Sequence, residues 1–174
     1  MGECDKRVEI GRRRFLRGGA ILAAAGVASN TAPNGAANAT PALARVEYPS
    51  NRLTNIAELR LNVPLRVTYP DPDAHGILLK LGKRVPGGVG PDEDIVGFSA
   101  VCPHKGVPLS YDPADKSLNC PGHYSRFDCE AGGQQIWGHA TQNLPQYVLR
   151  IDGNGDIYAD GIDDLLYGRL SNVL

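Results

Sequence analysis

The chain has 174 residues, of which 42% are hydrophobic and 21% are charged, and its formal net charge is −1. This length has room for one ordinary domain with an appendage. The nearly neutral charge indicates neither a nucleic acid nor an anionic membrane surface as a partner. The chain has 21 glycines and 13 prolines but few aromatic residues, which favours short strands joined by turns over long helices. Four cysteines, at positions 4, 102, 120 and 129, are spaced too irregularly to predict a disulfide framework.

Residues 1–44 are predicted to be a signal peptide and linker, separate from a domain at residues 45–174. Arg12-Arg13 lies in a basic cluster and is followed by Phe15-Leu16, the pattern of a twin-arginine export signal. The mildly apolar run at 18–28 is shorter than the about 20 residues of a membrane-spanning helix. A-x-A cleavage sites end at Ala44 and at Ala39. We therefore expect export to the periplasm in a folded state without membrane association, and a retained anchor or a disordered basic tail is the alternative.

The rest of the chain is predicted to be β structure. Alternating or apolar runs bounded by turn residues predict strands at 64–70, 76–82, 94–101, 117–120, 125–128, 133–138, 147–152 and 156–161. Asp152–Gly155, with the sequence Asp-Gly-Asn-Gly, predicts a hairpin between the last two strands. Short helical turns are predicted near Asn55–Leu59 and in the tail at 162–174. The fold class is therefore predicted to be all-β, a compact antiparallel sandwich or small barrel.

Two short stretches, "VCPHKGVPLS" and "NCPGHYSRFD", each hold one cysteine and one histidine. Cys102 and His104 are separated by fifteen residues from Cys120 and His123. Three kinds of site compete for this pattern. A zinc site takes two cysteines and two histidines, but zinc motifs usually pair the cysteines with each other. A disulfide suits an exported protein but leaves both histidines unexplained. A two-iron, two-sulfide cluster in which one iron binds two thiolates and the other two imidazoles uses all four residues.

The spacing within and between the pairs resembles the Rieske 2Fe–2S family, and "WGHATQNLP" resembles that family's proline-containing third loop. The resemblance covers most of residues 45–174 and implies a β domain with a cluster-binding subdomain of two ligand loops. It implies that Cys102 and Cys120 bind a buried iron, and that His104 and His123 bind an outer iron near the surface. Neutral imidazoles make the centre less negative than four thiolates would, and such centres have potentials of roughly −150 to +300 mV.

Four positions in these loops bear on how the family pattern is tuned. High-potential members of the family carry an extra cysteine in each loop, joined as a disulfide, and here those positions are Val107 and Gly122. Ser125 matches a position whose hydroxyl bonds a bridging sulfide. Phe127 stands where a tyrosine hydroxyl would bond a cysteine sulfur. Because about 1.4 kcal/mol corresponds to about 59 mV for one electron, this missing bond is expected to lower the potential by tens of millivolts, to a middling value for the family.

Three further residues are candidates for partner docking. Lys105 and Arg126 place positive charge beside the ligand loops, where it either guides a partner and raises the potential or is merely solvated. His139, in the third loop, is expected to lie at a surface or interface, because the resemblance already supplies a full ligand set. Cys129 is expected to be a buried free thiol, and Cys4 precedes the export signal.

Among exported Rieske proteins the chain resembles the small subunit of arsenite oxidase, by its export signal, its small domain and its "CPHKG" and "CPGHYSRFD" loops. That resemblance implies a large partner subunit with a molybdopterin centre and a 3Fe–4S cluster, and a soluble c-type cytochrome or copper protein as acceptor. The alternative is the Rieske subunit of a quinol–cytochrome c oxidoreductase, which would need a retained anchor. A ferredoxin feeding a dioxygenase and a structural zinc module are weaker alternatives. In each redox case the chain relays electrons and has no substrate-converting site of its own.

Overall fold

The computed structural model describes residues 47–173, so the predicted signal peptide and linker at residues 1–44 lie outside the described residues. Within the described range the chain forms ten β-strands and two short 3₁₀ helices. The strands, in chain order, are β1 (Asn51–Asn55), β2 (Leu65–Thr68), β3 (His75–Lys80), β4 (Ile95–Ser99), β5 (Ser110–Asp112), β6 (Ser117–Asn119), β7 (Arg126–Asp128), β8 (Gln134–Trp137), β9 (Tyr147–Ile151) and β10 (Asp156–Ile162). The 3₁₀ helices cover Ile56–Glu58 and Cys129–Ala131. No helix in this part of the chain is long and apolar enough to cross a membrane.

The strands form three antiparallel sheets, with strand orders β1-β10-β9, β2-β3-β4 and β5-β6-β7-β8. The predicted hairpin closes β9 onto β10, where the Asp152 N–H donates to the Asp156 carbonyl over 3.0 Å. Gly155 in that turn has a φ of +80°, a conformation that glycine adopts without steric penalty. The middle sheet and the four-stranded sheet are consecutive in the chain, and the ligand pair of Cys102 and His104 lies between them.

The middle sheet is covered on both faces, which explains why β3 and β4 read as continuous apolar runs. Leu78 and Ile95 point to one face, and Ile77, Leu79 and Phe98 point to the other, as the two-residue period of a strand requires. The first face packs in a base core with Leu59, Tyr69, Ala74, Tyr147, Leu149, Ile157, Ala159, Ile162 and Leu166. The second packs in a site core with Leu81, Val85, Val96, Cys102, Leu109, Leu118, Cys120, Phe127, Cys129, Ala140 and Leu144.

The prediction of an all-β antiparallel fold is confirmed, and each predicted strand overlaps an observed one. The helical turn expected near Asn55–Leu59 is the first 3₁₀ helix, which Asn55 caps by accepting a hydrogen bond from the Ala57 N–H. The helical turn expected in the tail was wrong, because no helix forms at 163–173. Instead the Leu166 N–H donates to the Asn172 side chain over 2.8 Å, and Gly168 takes a φ of +77°.

Two buried tyrosines of the base core differ in how their hydroxyls are satisfied. The rings of Tyr69 and Tyr147 meet edge to face with centroids 5.5 Å apart, and both side chains are almost fully buried. The Tyr69 hydroxyl donates to the Pro49 carbonyl over 2.9 Å. The Tyr147 hydroxyl lies over the Cα of Gly76 and has no hydrogen-bond partner among the described residues. Burial raises the pKa of both groups, to about 12 for Tyr69.

We expect opposite effects from removing these two hydroxyls. Tyr69→Phe should lower the free energy of unfolding by about 1 kcal/mol, because it removes the hydrogen bond between the Tyr69 hydroxyl and the Pro49 carbonyl. Tyr147→Phe should leave that free energy unchanged or raise it by up to about 1 kcal/mol, because it removes a buried hydroxyl without a partner. Urea unfolding of both variants beside the wild type measures the difference. Equal destabilisation by the two substitutions would contradict the assignment.

Candidate metal centre

The two predicted ligand loops are closed by the same pattern of backbone hydrogen bonds. In the first loop the Cys102 N–H donates to the Val107 carbonyl, and the Gly106 N–H donates back to the Cys102 carbonyl, each over 2.9 Å. In the second loop the Cys120 N–H donates to the carbonyl five residues later, at Ser125, over 2.8 Å, and the Tyr124 N–H donates back to Cys120 over 3.0 Å. Each cysteine therefore begins a turn in which both its backbone N–H and its backbone carbonyl are hydrogen-bonded to later residues of the loop.

The residue four positions after each cysteine has a left-handed backbone. The φ angle is +69° at Gly106 and +60° at Tyr124. Glycine is suited to this conformation, whereas a residue with a side chain adopts it at a cost of roughly 1–2 kcal/mol. The turn reverses the chain sharply, so the cysteine and the histidine that follows it lie on one tight loop.

The two cysteine sulfurs are brought together inside the site core. Cys102 is 0% exposed and Cys120 is 3% exposed. Both are free cysteines, so the disulfide considered for this pair is wrong. Burial raises the pKa of the Cys102 thiol, the backbone N–H groups of His104 and Lys105 partly offset this by donating to its sulfur, and the adjacent Cys120 side chain raises it again. A bound cation would stabilise both thiolates in this dry position.

The imidazoles of His104 and His123 meet at the edge of this pair. Their ring centroids are 4.8 Å apart at an interplanar angle of 78°. His123 is exposed and His104 is half-buried. Burial lowers the pKa of His104, followed by repulsion from His123 and Lys105, which favours the neutral imidazole that metal ions bind. The Nδ1 atom of His104 is buried and has no hydrogen-bond partner among the described residues, as expected of a nitrogen that serves as a ligand.

The two cysteine side chains contact each other, and the two histidine rings contact each other. In a two-iron cluster with mixed ligands, each iron takes two donors from the protein and the remainder from bridging sulfides. A pair of sulfurs and a pair of imidazoles therefore supply the donors that such a centre needs.

The third loop lies directly on the second. The Ala140 N–H donates to the Oγ of Ser125 over 2.9 Å, and Ser125 is fully buried. As an acceptor in that bond, the hydroxyl keeps its own proton available to donate to another group. A role for Ser125 in tuning the cluster stays a prediction. Gly138 is packed against the Ser125 backbone, where a Cβ would lie 2.4 Å from Cα of Ser125. Only glycine can bring the two loops so close.

His139 is the residue of the third loop that comes nearest the ligand histidines. Its ring stacks on His104 at a centroid distance of 6.0 Å and 20°, and it lies 6.2 Å from the ring of His123. His139 is exposed, as expected for a surface position. Sequence reasoning placed it in the third loop but missed the stacking, because no local pattern marks a contact across 35 residues.

The remaining predicted residues take different positions around the site. Phe127 is fully buried in the site core, and Lys105 is exposed on the first loop. Arg126 is half-exposed and forms an ion pair with Asp115, so its charge is partly neutralised. A docking role for Lys105, Arg126 and His139 stays a prediction. The expectation of a buried free thiol at Cys129 is confirmed, and burial raises the pKa of that thiol to about 12.

Sequence reasoning missed an exposed aromatic rim beside the ligand histidines. Tyr124 and Trp137 are 73% and 68% exposed, and with His123, Gly138 and His139 they line an open depression. The same two aromatic residues border a second depression of about 830 Å³, which reaches Cys120 and Arg126. The single Trp of the chain, Trp137 at the start of the third loop, is the one sequence signal that could have pointed to this rim.

Val107 and Gly122 occupy the positions of the extra cysteines in high-potential Rieske proteins, and the structure brings them into contact. A Cβ built on Gly122 would lie 3.6 Å from Cβ of Val107 and 3.0 Å from its Cγ2. The Val107 side chain thus packs on the Gly122 backbone and holds one loop against the other. A disulfide requires a Cβ–Cβ distance of about 3.5–4.5 Å.

We expect the double variant Val107→Cys/Gly122→Cys to form a disulfide without backbone movement. The bond should raise the free energy of unfolding by up to about 3 kcal/mol, the contribution expected for a closed loop of this length. Thiol counting in denaturant and intact mass should show that the oxidised double variant has two thiols and two hydrogens fewer than the same variant after reduction. Equal thiol counts before and after reduction would contradict the contact.

Comparison with known proteins agrees with this site. A family model described as the Rieske [2Fe-2S] domain matches residues 62–148. The iodate reductase subunit IdrB of Denitromonas iodatirespirans is 41% identical over 171 residues, covering 96% of this chain and 89% of that protein. The subunit of the same name from Pseudomonas sp. (strain SCT) is 41% identical over 167 residues, covering 94% of this chain and 84% of its own.

Solved structures show the same fold at lower identity. The soluble domain of Rieske protein II (soxF) from Sulfolobus acidocaldarius superposes with a TM-score of 0.63 at 24% identity, covering 70% of this chain and 82% of that one.

A shorter sequence similarity, 40% identical over 73 residues, links 41% of this chain to 42% of a cytochrome bc1 complex Rieske iron–sulfur subunit from Streptomyces lividans. The chain therefore belongs to the Rieske [2Fe-2S] family, and its cofactor is a Rieske-type 2Fe–2S cluster.

Proposed function

We propose that Cys102 and Cys120 hold the inner iron of this cluster and that His104 and His123 hold the outer iron. The observation that carries this assignment is the buried, unpartnered Nδ1 of His104, beside the His123 ring and above two free cysteines. When bound, the cluster accepts and releases one electron at a time. The exposed edge of His123 makes this face of the domain the place where electrons enter and leave.

Substitution of the proposed ligands should separate them from their neighbours. Cys102→Ser, Cys120→Ser, His104→Ala and His123→Ala should each abolish the visible absorption and the reduced-state EPR signal, because each removes a bond to iron. Cys129→Ser and His139→Ala serve as matched controls, since they remove a buried thiol and a stacked imidazole from the same region. Both controls should retain two irons per chain. A cluster that persists in His123→Ala, or is lost in His139→Ala, would contradict the ligand set.

We further propose that the chain is the electron-transfer subunit of an oxyanion oxidoreductase with a large catalytic partner that contains molybdopterin and a 3Fe–4S cluster. Two iodate reductase subunits support this proposal, because their similarity extends over nearly the whole of both chains. By contrast, the similarity to a cytochrome bc1 subunit is confined to about two fifths of this chain. The quinol–cytochrome c alternative is therefore less well supported.

Two substrates are candidates for the partner subunit, and they differ in the direction of electron flow. Iodate reduction, supported by the two relatives, draws electrons from a donor through this chain into the catalytic subunit. Arsenite oxidation, supported by the resemblance of the ligand loops and the export signal, sends electrons out through this chain to a soluble c-type cytochrome or copper protein. We favour iodate reduction because the two iodate reductase subunits that support it match 96% and 94% of this chain.

The location we propose is the periplasm, reached in the folded state through the twin-arginine route. The support is Arg12-Arg13 with Phe15-Leu16 and the small-residue cleavage sites that follow. Export of a folded protein suits a chain whose cluster is inserted before transport.

A redox assay on the complex with its catalytic subunit should separate the two substrates. The two chains are co-expressed, and the visible absorption of this chain's cluster is followed anaerobically. For iodate reduction, iodate should reoxidise the prereduced complex and arsenite should leave the oxidised complex unchanged. For arsenite oxidation, arsenite should bleach the oxidised complex. The complex containing His123→Ala is the control. If neither anion changes the wild-type spectrum, the proposal of an oxyanion partner is wrong.

A further inference from the structure

The C-terminal segment after β10 reaches the first ligand loop through one aromatic ring. A Cβ built on Gly106 would lie 2.4 Å from Cε1 and 2.7 Å from Cδ1 of Tyr167. The Tyr167 ring therefore rests directly on the Gly106 backbone, two residues after His104. The Tyr167 ring is half-exposed, so it packs on the outside of the loop and belongs to neither hydrophobic core.

The residues on either side of Tyr167 are tied to the base of the domain. Leu166 is buried in the base core, and its N–H donates to the Asn172 side chain over 2.8 Å. Arg169 forms a two-bond ion pair with Asp71, one bond of which measures 2.9 Å, and both side chains are mostly buried. Tyr167 thus stands between two anchored residues, and its position is set by the base of the domain.

The part of the first loop under this ring closes the turn at Cys102. The Gly106 N–H donates to the Cys102 carbonyl, and the Cys102 N–H donates to the Val107 carbonyl, each over 2.9 Å. These two bonds hold Cys102 in its fully buried position, and the surroundings of a ligand sulfur help to set the potential of a cluster. Movement of Gly106 away from the domain would open this turn.

We infer that Tyr167 is a positioning residue for the first ligand loop: its ring packs on Gly106 and so keeps the turn at Cys102 closed. Val107 restrains the neighbouring position through its contact with Gly122. Side-chain packing at two adjacent residues therefore adds to the backbone hydrogen bonds of this loop. The inference rests on the cluster assignment and is independent of which catalytic subunit binds this chain.

The clamp is tested on the purified full chain with its cluster, in the absence of any partner. In Tyr167→Ala, iron should pass to a chelator about fivefold faster than in the wild type, equivalent to about 1 kcal/mol. The midpoint potential should shift, and the EPR signal of the reduced state should change, because the turn that holds Cys102 in its buried position is no longer kept closed.

Two control variants are matched to this test. Tyr167→Phe keeps the ring and should behave as the wild type in all three measurements. Leu170→Ala truncates a fully exposed side chain of the same segment and should also behave as the wild type. An unchanged potential in Tyr167→Ala, or an equal shift in Leu170→Ala, would overturn the inference. Failure of the iodate and arsenite assays would leave these measurements unaffected, so the two proposals fail separately.

Two further variants test the Tyr167–Gly106 contact in case Tyr167→Ala does not fold. Asp71→Asn weakens the ion pair with Arg169 and leaves both Tyr167 and the ligand loop intact. It should shift the potential in the same direction as Tyr167→Ala, but by less. If Tyr167→Ala does not fold, Tyr167→Leu takes its place, and wild-type potentials in both Tyr167→Leu and Asp71→Asn would overturn the inference.

Discussion

The two backbone hydrogen bonds that close the turn at each proposed ligand cysteine are the constraint on which this structure depends. Cys102 and Cys120 each donate through the N–H to a carbonyl five residues later and accept at the carbonyl from an N–H four residues later. The same bond pattern in both loops presents two sulfurs to the same point. The cost of left-handed backbone at Tyr124, a residue with a side chain, is offset by closing this turn.

The loops can bury the cysteine sulfurs while the histidine rings stay near the surface, because the sheets provide an apolar core against which the cysteines pack. The middle sheet uses one face for the base core and the other for the site core, so Leu79 and Phe98 support the cysteines from below. Ser125, just before β7, and Phe127, on β7, are both fully buried in the same region. A thiolate in this position is poorly solvated, which favours its binding to iron, whereas the histidines remain at the rim where a partner can approach.

The parts of the molecule that could be predicted from sequence are those encoded by local pattern. The alternation in β9 and β10 and the Asp-Gly-Asn-Gly turn at 152–155 predicted a hairpin, and the spacing of two Cys/His pairs predicted the centre. The helical turn predicted in the tail at 162–174 was wrong, because no helix forms at 163–173. Side-chain acceptors from Asp164 and Asn172 take the backbone donors that a helix would need.

What could not be predicted depends on contacts between distant residues. The stacking of His139 on His104 and the packing of Tyr167 on Gly106 join segments that are 35 and 61 residues apart. In the second contact a glycine supplies the space, and glycine gives the same sequence signal whether it permits a turn or the approach of a ring. Sequence alone therefore could not identify the ring that rests on Gly106.

A one-electron relay does not fix the direction in which it works, since relative potentials decide whether the partner gives or receives the electron. The groups that we expect to adjust the potential of this chain are few: the backbone of the first loop around Cys102, the Ser125 hydroxyl in the second loop and the apolar Phe127 on β7. A chain serving a reductase and one serving an oxidase can therefore share all four ligands and differ by one or two hydrogen bonds. This is why the ligand loops identify the family so readily, whereas the choice between iodate and arsenite depends on the chemistry of the catalytic partner.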